Sequence, residues 1–199
     1  MSLKQIIARF TSFLEDSDEE ITVATIEQMA NSGKNNSHTS AKIIEASKCI
    51  QTGALLLTFE LFLPRCILAE ANTHRKHSKN TGSSRAIPII RMLKDIMRSP
   101  FVPLYWGANK AGMQSHVQLP VWKRVLCNLL WVTHRYFTYF TVRALNALGL
   151  HKQWSNRLFE PHSYVRQVVT TSDCFSNFMA LRHHGDAQPE IIYLAILMR

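Results

Sequence analysis

The chain has 199 residues, 46% hydrophobic and 19% charged, which is enough apolar material for one domain with its own core and argues against a disordered chain. A formal net charge of +9 favours anionic partners: nucleic acid, nucleotides, phosphorylated cofactors or an acidic membrane surface, among which charge alone does not choose. Cys49, Cys66, Cys127 and Cys174 lie far apart, without paired metal-site spacing and without a signal peptide ahead of them, so they read as reduced thiols of a cytoplasmic protein; no Walker-type loop or dinucleotide fingerprint is present.

In chain order, Leu3, Ile6, Ile7, Phe10, Phe13 and Leu14 fall at helical spacing and predict an amphipathic helix, followed by the acidic run from Glu15 to Glu20. That acidic run argues for packing against protein rather than a membrane surface. Thr25 to Ala30 predict a further helical turn ending at Asn31-Ser32-Gly33, and residues 34–40 read as a polar linker, so residues 1–40 form an N-terminal extension. Two strands follow, Ala41 to Ala46 and Ala54 to Glu60, around the turn Gln51-Thr52-Gly53. A helix is expected from Pro64, delivering His74 and Arg75 at its C-terminal end, and a second from Pro88 through Leu93 and Met97. Residues 99–119 carry Pro100, Pro103, Gly107 and Gly112 among aromatics and predict an ordered, irregular connection.

The longest apolar stretch runs from Pro120 to Leu148. Arg135 and Arg143 interrupt it, with His134 adjacent, and a charge at the centre of a membrane helix costs about 3 kcal/mol, so a long buried helix closed by Gly149 is the better reading than a membrane span. A short helix over Gln153 to Leu158, a strand over Tyr164 to Thr170 and a helix over Asp173 to His183, capped by Ser172, complete the main pattern. The segment from Asp186 to Arg199 begins as a helix and stops without a glycine or polar tail, which is the pattern of a truncated C-terminus.

Between the two Pro-initiated helices, Glu70 to Pro88 concentrates His74, Arg75, Lys76, Lys79, Ser83, Ser84 and Arg85 in a turn-rich segment. Backbone N–H groups, hydroxyls and a guanidinium converging there suit a phosphate, while the plainer alternative is a solvated basic loop.

Two separated blocks resemble the flavin-dependent thymidylate synthase family. Thr73-His74-Arg75 is followed after seven residues by Ser83, as that family's Arg-His-Arg is followed by Ser, and Asn177, Leu181-Arg182, Ala187-Gln188 and Glu190-Ile191 follow its C-terminal motif. Asn156-Arg157-Leu158-Phe159-Glu160-Pro161 supplies a third match, an arginine shortly before a proline. The resemblance covers about residues 41–199 and is nearest a divergent phage-type branch, with Asn72-Thr73-His74-Arg75 and Ser83-Ser84-Arg85-Ala86-Ile87-Pro88. It implies an α+β fold with a mainly antiparallel sheet packed with long helices, a homotetramer with shared active sites, and a location in the cytoplasm, or the host cytoplasm for a phage-encoded chain.

The implied reaction is the reductive methylation of dUMP to dTMP, with methylenetetrahydrofolate and NADPH as co-substrates and FAD as cofactor. The resemblance assigns Ser83, Ser84 and Arg85 to the substrate phosphate and ribose, Arg157 and Arg182 to the nucleotide, and Arg182 to the uracil edge as the catalytic cation. Glu70 falls where the family often has Gln, in reach of the nucleotide or of a nearby cation; His74, Arg75 and Asn177 are assigned to FAD. No catalytic cysteine and no metal are needed by this route. Thr73, Thr81 and Asp186 depart from the family's Arg, Glu and His, each removing a contact. The alternative reading is a non-catalytic nucleotide- or nucleic-acid-binding protein on the same scaffold, although the cations lack the interleaved aromatic platform of single-strand binders; a membrane-associated protein is the weakest reading.

Overall fold

The computed structural model describes residues 20–33 and 37–199; the amphipathic helix expected before Glu15 lies outside them. The first described helix, α1 (Val23–Ser32), begins at a reciprocal cap in which the Thr22 side chain accepts from the Thr25 amide and the Thr25 side chain meets the Thr22 amide. It ends at Gly33, whose φ of 61° suits a residue without Cβ. Its Ile26 is fully buried in the same core as the rest of the chain, although the segment precedes residue 40.

Strands β1 (Ser40–Lys48) and β2 (Leu55–Pro64) form the expected hairpin, turned at Gly53 with φ 71°. With β3 (Ser78–Thr81) and β4 (Tyr164–Thr171) they make an antiparallel sheet of order β1-β2-β4-β3. Alternation decides which face is covered: Phe59, Leu61 and Leu63 of β2 are buried, and their partners across the ladder are Val169, Gln167 and Val165 of β4. Gln167 is tolerated in that apolar row because its amide donates to Asn72 Oδ1 at 2.9 Å and Thr81 Oγ1 at 2.7 Å.

Two sequence expectations change here. Pro64 closes β2, paired with Tyr164, instead of opening a helix; with ψ 137° it is extended, and its missing N–H costs nothing at a strand end. A 3-10 turn (Arg65–Ile67) and a short helix α2 (Leu68–Asn72) follow, so His74 and Arg75 lie in the turn beyond the helix. The polar run after them forms edge strand β3, which reads as a loop in sequence because an edge strand needs no apolar face.

A 3-10 turn (Ser84–Ala86) leads through Pro88 into α3 (Ile89–Arg98), as expected, and an irregular segment with a single Gly107–Gln118 bridge reaches α4 (Val121–Ala147). α4 ends at Gly149 with φ 84°. Only Arg124, Thr138 and Val142 of its 27 residues are buried, while Trp122, Leu129, Leu130, Phe137 and Phe140 are exposed, which corrects the expected buried helix: one side docks through Trp131 and the other stays apolar and uncovered. No helix among the described residues is long and apolar enough to cross a membrane.

Helix α5 (Lys152–Ser155) passes into a 3-10 turn (Asn156–His162), where Pro161 cannot donate an N–H to a continuing α-helix. Helix α6 (Phe175–Arg182) starts at Cys174; Ser172 contributes its backbone carbonyl to the Phe175 amide, where a side-chain cap was expected. Last, α7 (Pro189–Met198) is apolar on all sides and buries eight of its ten residues, with Ile191, Ile192, Leu194 and Ala195 at or near zero exposure. Burying each of Ile191, Ile192 and Leu194 contributes about 1.5–3 kcal/mol, so α7 is a principal element of the core.

Candidate functional site

Arg182, at the end of α6, reaches across to the turn after α2. Its Nε donates to His74 Nε2 at 3.0 Å, and its Nη2 donates to Thr73 Oγ1 at 2.8 Å and to the Glu70 carbonyl at 3.4 Å. The Thr73 hydroxyl in turn donates to the Glu70 carbonyl at 2.6 Å. The Glu70 carboxylate stands 3.9 Å from Arg182 Nη1, beyond hydrogen-bond reach, and its Oε2 is buried without a hydrogen bond among the described residues.

The turn is rigid for local reasons. Lys79, on β3, folds its ammonium back onto the carbonyls of Asn72 at 3.0 Å and His74 at 2.6 Å, satisfying acceptors left by the short helix. The His74 ring stacks near His77 at 5.6 Å and meets the edge of Phe178 at 4.9 Å. Burial, then the charge of Arg182, lowers the His74 pKa to about 4, so the ring is neutral and its Nε2 is free to accept. His77 is likewise lowered, by burial first.

Two cavities share Arg182 as a wall. One, of about 430 Å³, is lined by Thr73 to His77 together with Cys174, Asn177 and Leu181. The other, of about 380 Å³, is lined by Glu70, Phe101, Tyr105, Trp131 and the Asp186–Glu190 turn, among others. Glu190 is buried there and is satisfied by the Leu104 amide at 3.0 Å and the Gln188 side chain at 2.9 Å. The structure thus brings together Glu70, His74, Arg75, Asn177 and Arg182 of the expected residues.

Ser83, Ser84, Arg85 and Arg157 form a second group that lines neither cavity. Asn156 ties it together by donating to the carbonyls of Ser84 and Ile87, both at 2.8 Å. Ser83, Arg85 and Arg157 are exposed, but Ser84 departs from expectation: it is buried, and its hydroxyl donates to Glu160 Oε1 at 2.7 Å. That hydroxyl faces the protein, so the exposed donors of the loop are those of Ser83 and Arg85.

Sequence reasoning gave no role to His77, Lys79, Trp131 or Glu160. Glu160 falls inside the matched Asn156–Pro161 block, and a carboxylate among those cations was its available signal; the others carried none, because their partners are set by the tertiary fold.

No family model matches the sequence, and no match is found among curated proteins. Among solved structures the fold is similar to that of the UMP/dUMP methylase PolB from Streptomyces cacaoi. The form bound with 5-Br UMP gives a TM-score of 0.66 at 14% identity, covering 81% of this chain and 87% of that one. The form bound with 5-Br dUMP gives 0.60 at 16% identity, covering 88% and 72%. At these identities the match is one of architecture: the chain shares the α+β fold of the PolB structures.

Proposed function

We propose that the chain is a pyrimidine-nucleotide methyltransferase, and more narrowly an FAD-dependent thymidylate synthase that converts dUMP to dTMP with methylenetetrahydrofolate and NADPH. The observation that carries this reading is the position of Arg182, one side chain lining two cavities, so that ligands in each would meet across it. The fold shared with a UMP/dUMP methylase and the two sequence blocks that converge on this arginine support the same reading.

The nucleotide is assigned to the cavity with Glu70 and the aromatic rings of Phe101 and Trp131, where Arg182 would stabilise negative charge on a uracil ring as its fifth carbon becomes nucleophilic. The flavin is assigned to the cavity on the other side. Arg75 and Lys76 supply exposed cations for a pyrophosphate, Asn177 an amide, and buried His77 an Nε2 without a hydrogen-bond partner among the described residues for a polar ring edge. Bound there, FAD would carry reducing equivalents from NADPH to the transferred carbon. The chain's own part is to hold and orient the ligands and to keep a cation at the uracil edge.

Ser83, Arg85 and Arg157 are assigned to the substrate phosphate. Because they line neither cavity of one chain, the reading includes a homotetramer in which one copy's loop completes another's site, and the uncovered apolar side of α4 supports such an assembly.

The test uses the purified full chain. Added FAD should give a yellow protein whose visible spectrum changes on addition of dUMP, and the complete mixture should form dTMP. A chain that takes up no FAD but binds DNA with strong salt dependence would overturn the reading in favour of the non-catalytic alternative.

A further inference from the structure

We infer that Thr73 and His74 are positioning residues that fix the plane of the Arg182 guanidinium, leaving its Nη1 edge to the nucleotide cavity; the inference rests on the role proposed for Arg182. Three of the guanidinium's contacts lie on one side: Nε on His74 Nε2 at 3.0 Å, and Nη2 on Thr73 Oγ1 at 2.8 Å and the Glu70 carbonyl at 3.4 Å. Nη1 makes no hydrogen bond among the described residues, and an ionic neighbour there, Glu70, lines the nucleotide cavity.

The nature of the partners matters as much as their placement. Arginine is usually held by carboxylates, which fix its plane and cancel much of its charge. Here the holding atoms are a neutral imidazole nitrogen, a hydroxyl and a carbonyl. They orient the fork without a carboxylate in hydrogen-bonding contact; the Glu70 carboxylate stands 3.9 Å from Nη1, beside the cavity. Directionality runs one way: the single hydroxyl proton of Thr73 goes to the Glu70 carbonyl at 2.6 Å, so the oxygen's lone pairs are left for Arg182. The His74 ring is flanked by His77 and Phe178, and Lys79 holds its backbone carbonyl. Thr73, where the resembling family has an arginine, thus gains a function that a second cation there would oppose.

This places His74 behind Arg182, whereas the motif resemblance assigns it to the flavin. It also explains why a histidine with 9% exposure is kept neutral beside a cation instead of pairing with an acid.

The test compares Thr73→Val, Thr73→Ser, His74→Phe and Arg182→Ala in the FAD-loaded full chain, reading kcat and KM for dUMP, and reading dUMP affinity separately in the flavin-free protein by calorimetry. Thr73→Val is nearly isosteric on an exposed residue and keeps the fold testable if His74→Phe does not. Misplacement of a reacting group on the ångström scale costs up to about 100-fold, so Thr73→Val and His74→Phe should each lower kcat about 10- to 100-fold with FAD content unchanged. Thr73→Ser, which restores the hydroxyl, should return kcat to within about 3-fold of the parent. If Arg182→Ala is inactive while Thr73→Val and His74→Phe turn over like the parent, the positioning role is overturned and the functional reading stands. If Arg182→Ala turns over like the parent, the functional reading falls and this inference falls with it.

Discussion

The arginines of the candidate site divide into two kinds. Arg182 is four-fifths buried along its side chain and held by His74, Thr73 and Glu70, whereas Arg75, Arg85 and Arg157 are exposed and make no hydrogen bond or ion pair among the described residues. The difference follows from what each can contribute. A cation held in a fixed plane, partly out of water, stabilises charge developing at one point in space without reorganising, while an exposed cation follows a mobile phosphate but is weakened by solvent and salt. On the proposed function, the held arginine serves the chemistry and the exposed ones serve capture.

The sharpest way to break this comparison is Arg182→Ala. Removing a fixed donor from the site of developing charge should lower the rate of dTMP formation about 100- to 1000-fold while FAD stays bound, measured by single-turnover product formation and by the flavin spectrum. Arg182→Lys should rescue little, since an ammonium cannot make the forked contacts to His74 and Thr73 at once. If lysine restores full turnover, the fixed plane is irrelevant and the two sets of arginines differ only in exposure.

Burial of the held set has a second consequence, in pH. His74 is lowered to about 4, by burial first and then by Arg182, and His162, fully buried between Trp131 and His134, is lowered to about 4, by burial first and then by His134. Above an unfolded pKa of about 6.5 both rings are neutral whether the chain is folded or not, and their contribution to stability is fully present. Between about 6.5 and about 4 the unfolded chain takes up protons that the folded chain refuses, so stability falls with pH, by up to about 1.4 kcal/mol per pH unit for each histidine. Melting temperatures from pH 7 to 4 should show this loss. His162→Gln should flatten part of the slope; a variant whose slope matches the parent would show that His162 titrates normally.

How much of this was legible in the sequence depended on the range of the interactions involved. The β1–β2 hairpin, α3 after Pro88, β4 and α7 after Pro189 were readable, because alternation, turn residues and proline placement act within a few positions. The family resemblance singled out Arg182 and His74. Their hydrogen bond was not readable, because it spans 108 positions and depends on α6 being laid against the turn after α2. Ser84 illustrates the same limit: its residue type suits a phosphate, and only the fold puts Glu160 beneath it. Apolarity alone also misled at α4. The helix is rich in Leu and aromatics yet largely uncovered, whereas α7, ten residues long, is buried on every side. Apolar content shows that a surface favours a partner, and it does not show which part of the molecule supplies one.

Ser84 and Arg85 are adjacent in sequence but fall on the two sides of the comparison. Ser84→Ala removes the donor that satisfies Glu160 and should cost about 1–3 kcal/mol of stability, read from chemical denaturation, with little change in dUMP affinity. An Ala variant that kept its stability but lost dUMP would place the Ser84 hydroxyl on the ligand after all. Arg85→Ala should do the reverse, leaving the melting temperature within about 1 °C because an exposed, unpartnered side chain contributes little to folding. It should weaken dUMP binding about 10-fold, about what a single screened charge-assisted contact is worth. The salt dependence separates this from a general loss of positive field. If Arg85 contacts the phosphate, the penalty shrinks as ionic strength rises, because salt screens the parent's contact and the variant has none to lose. A penalty that stays constant up to high salt would mean that Arg85 acts by shape and belongs with the held set.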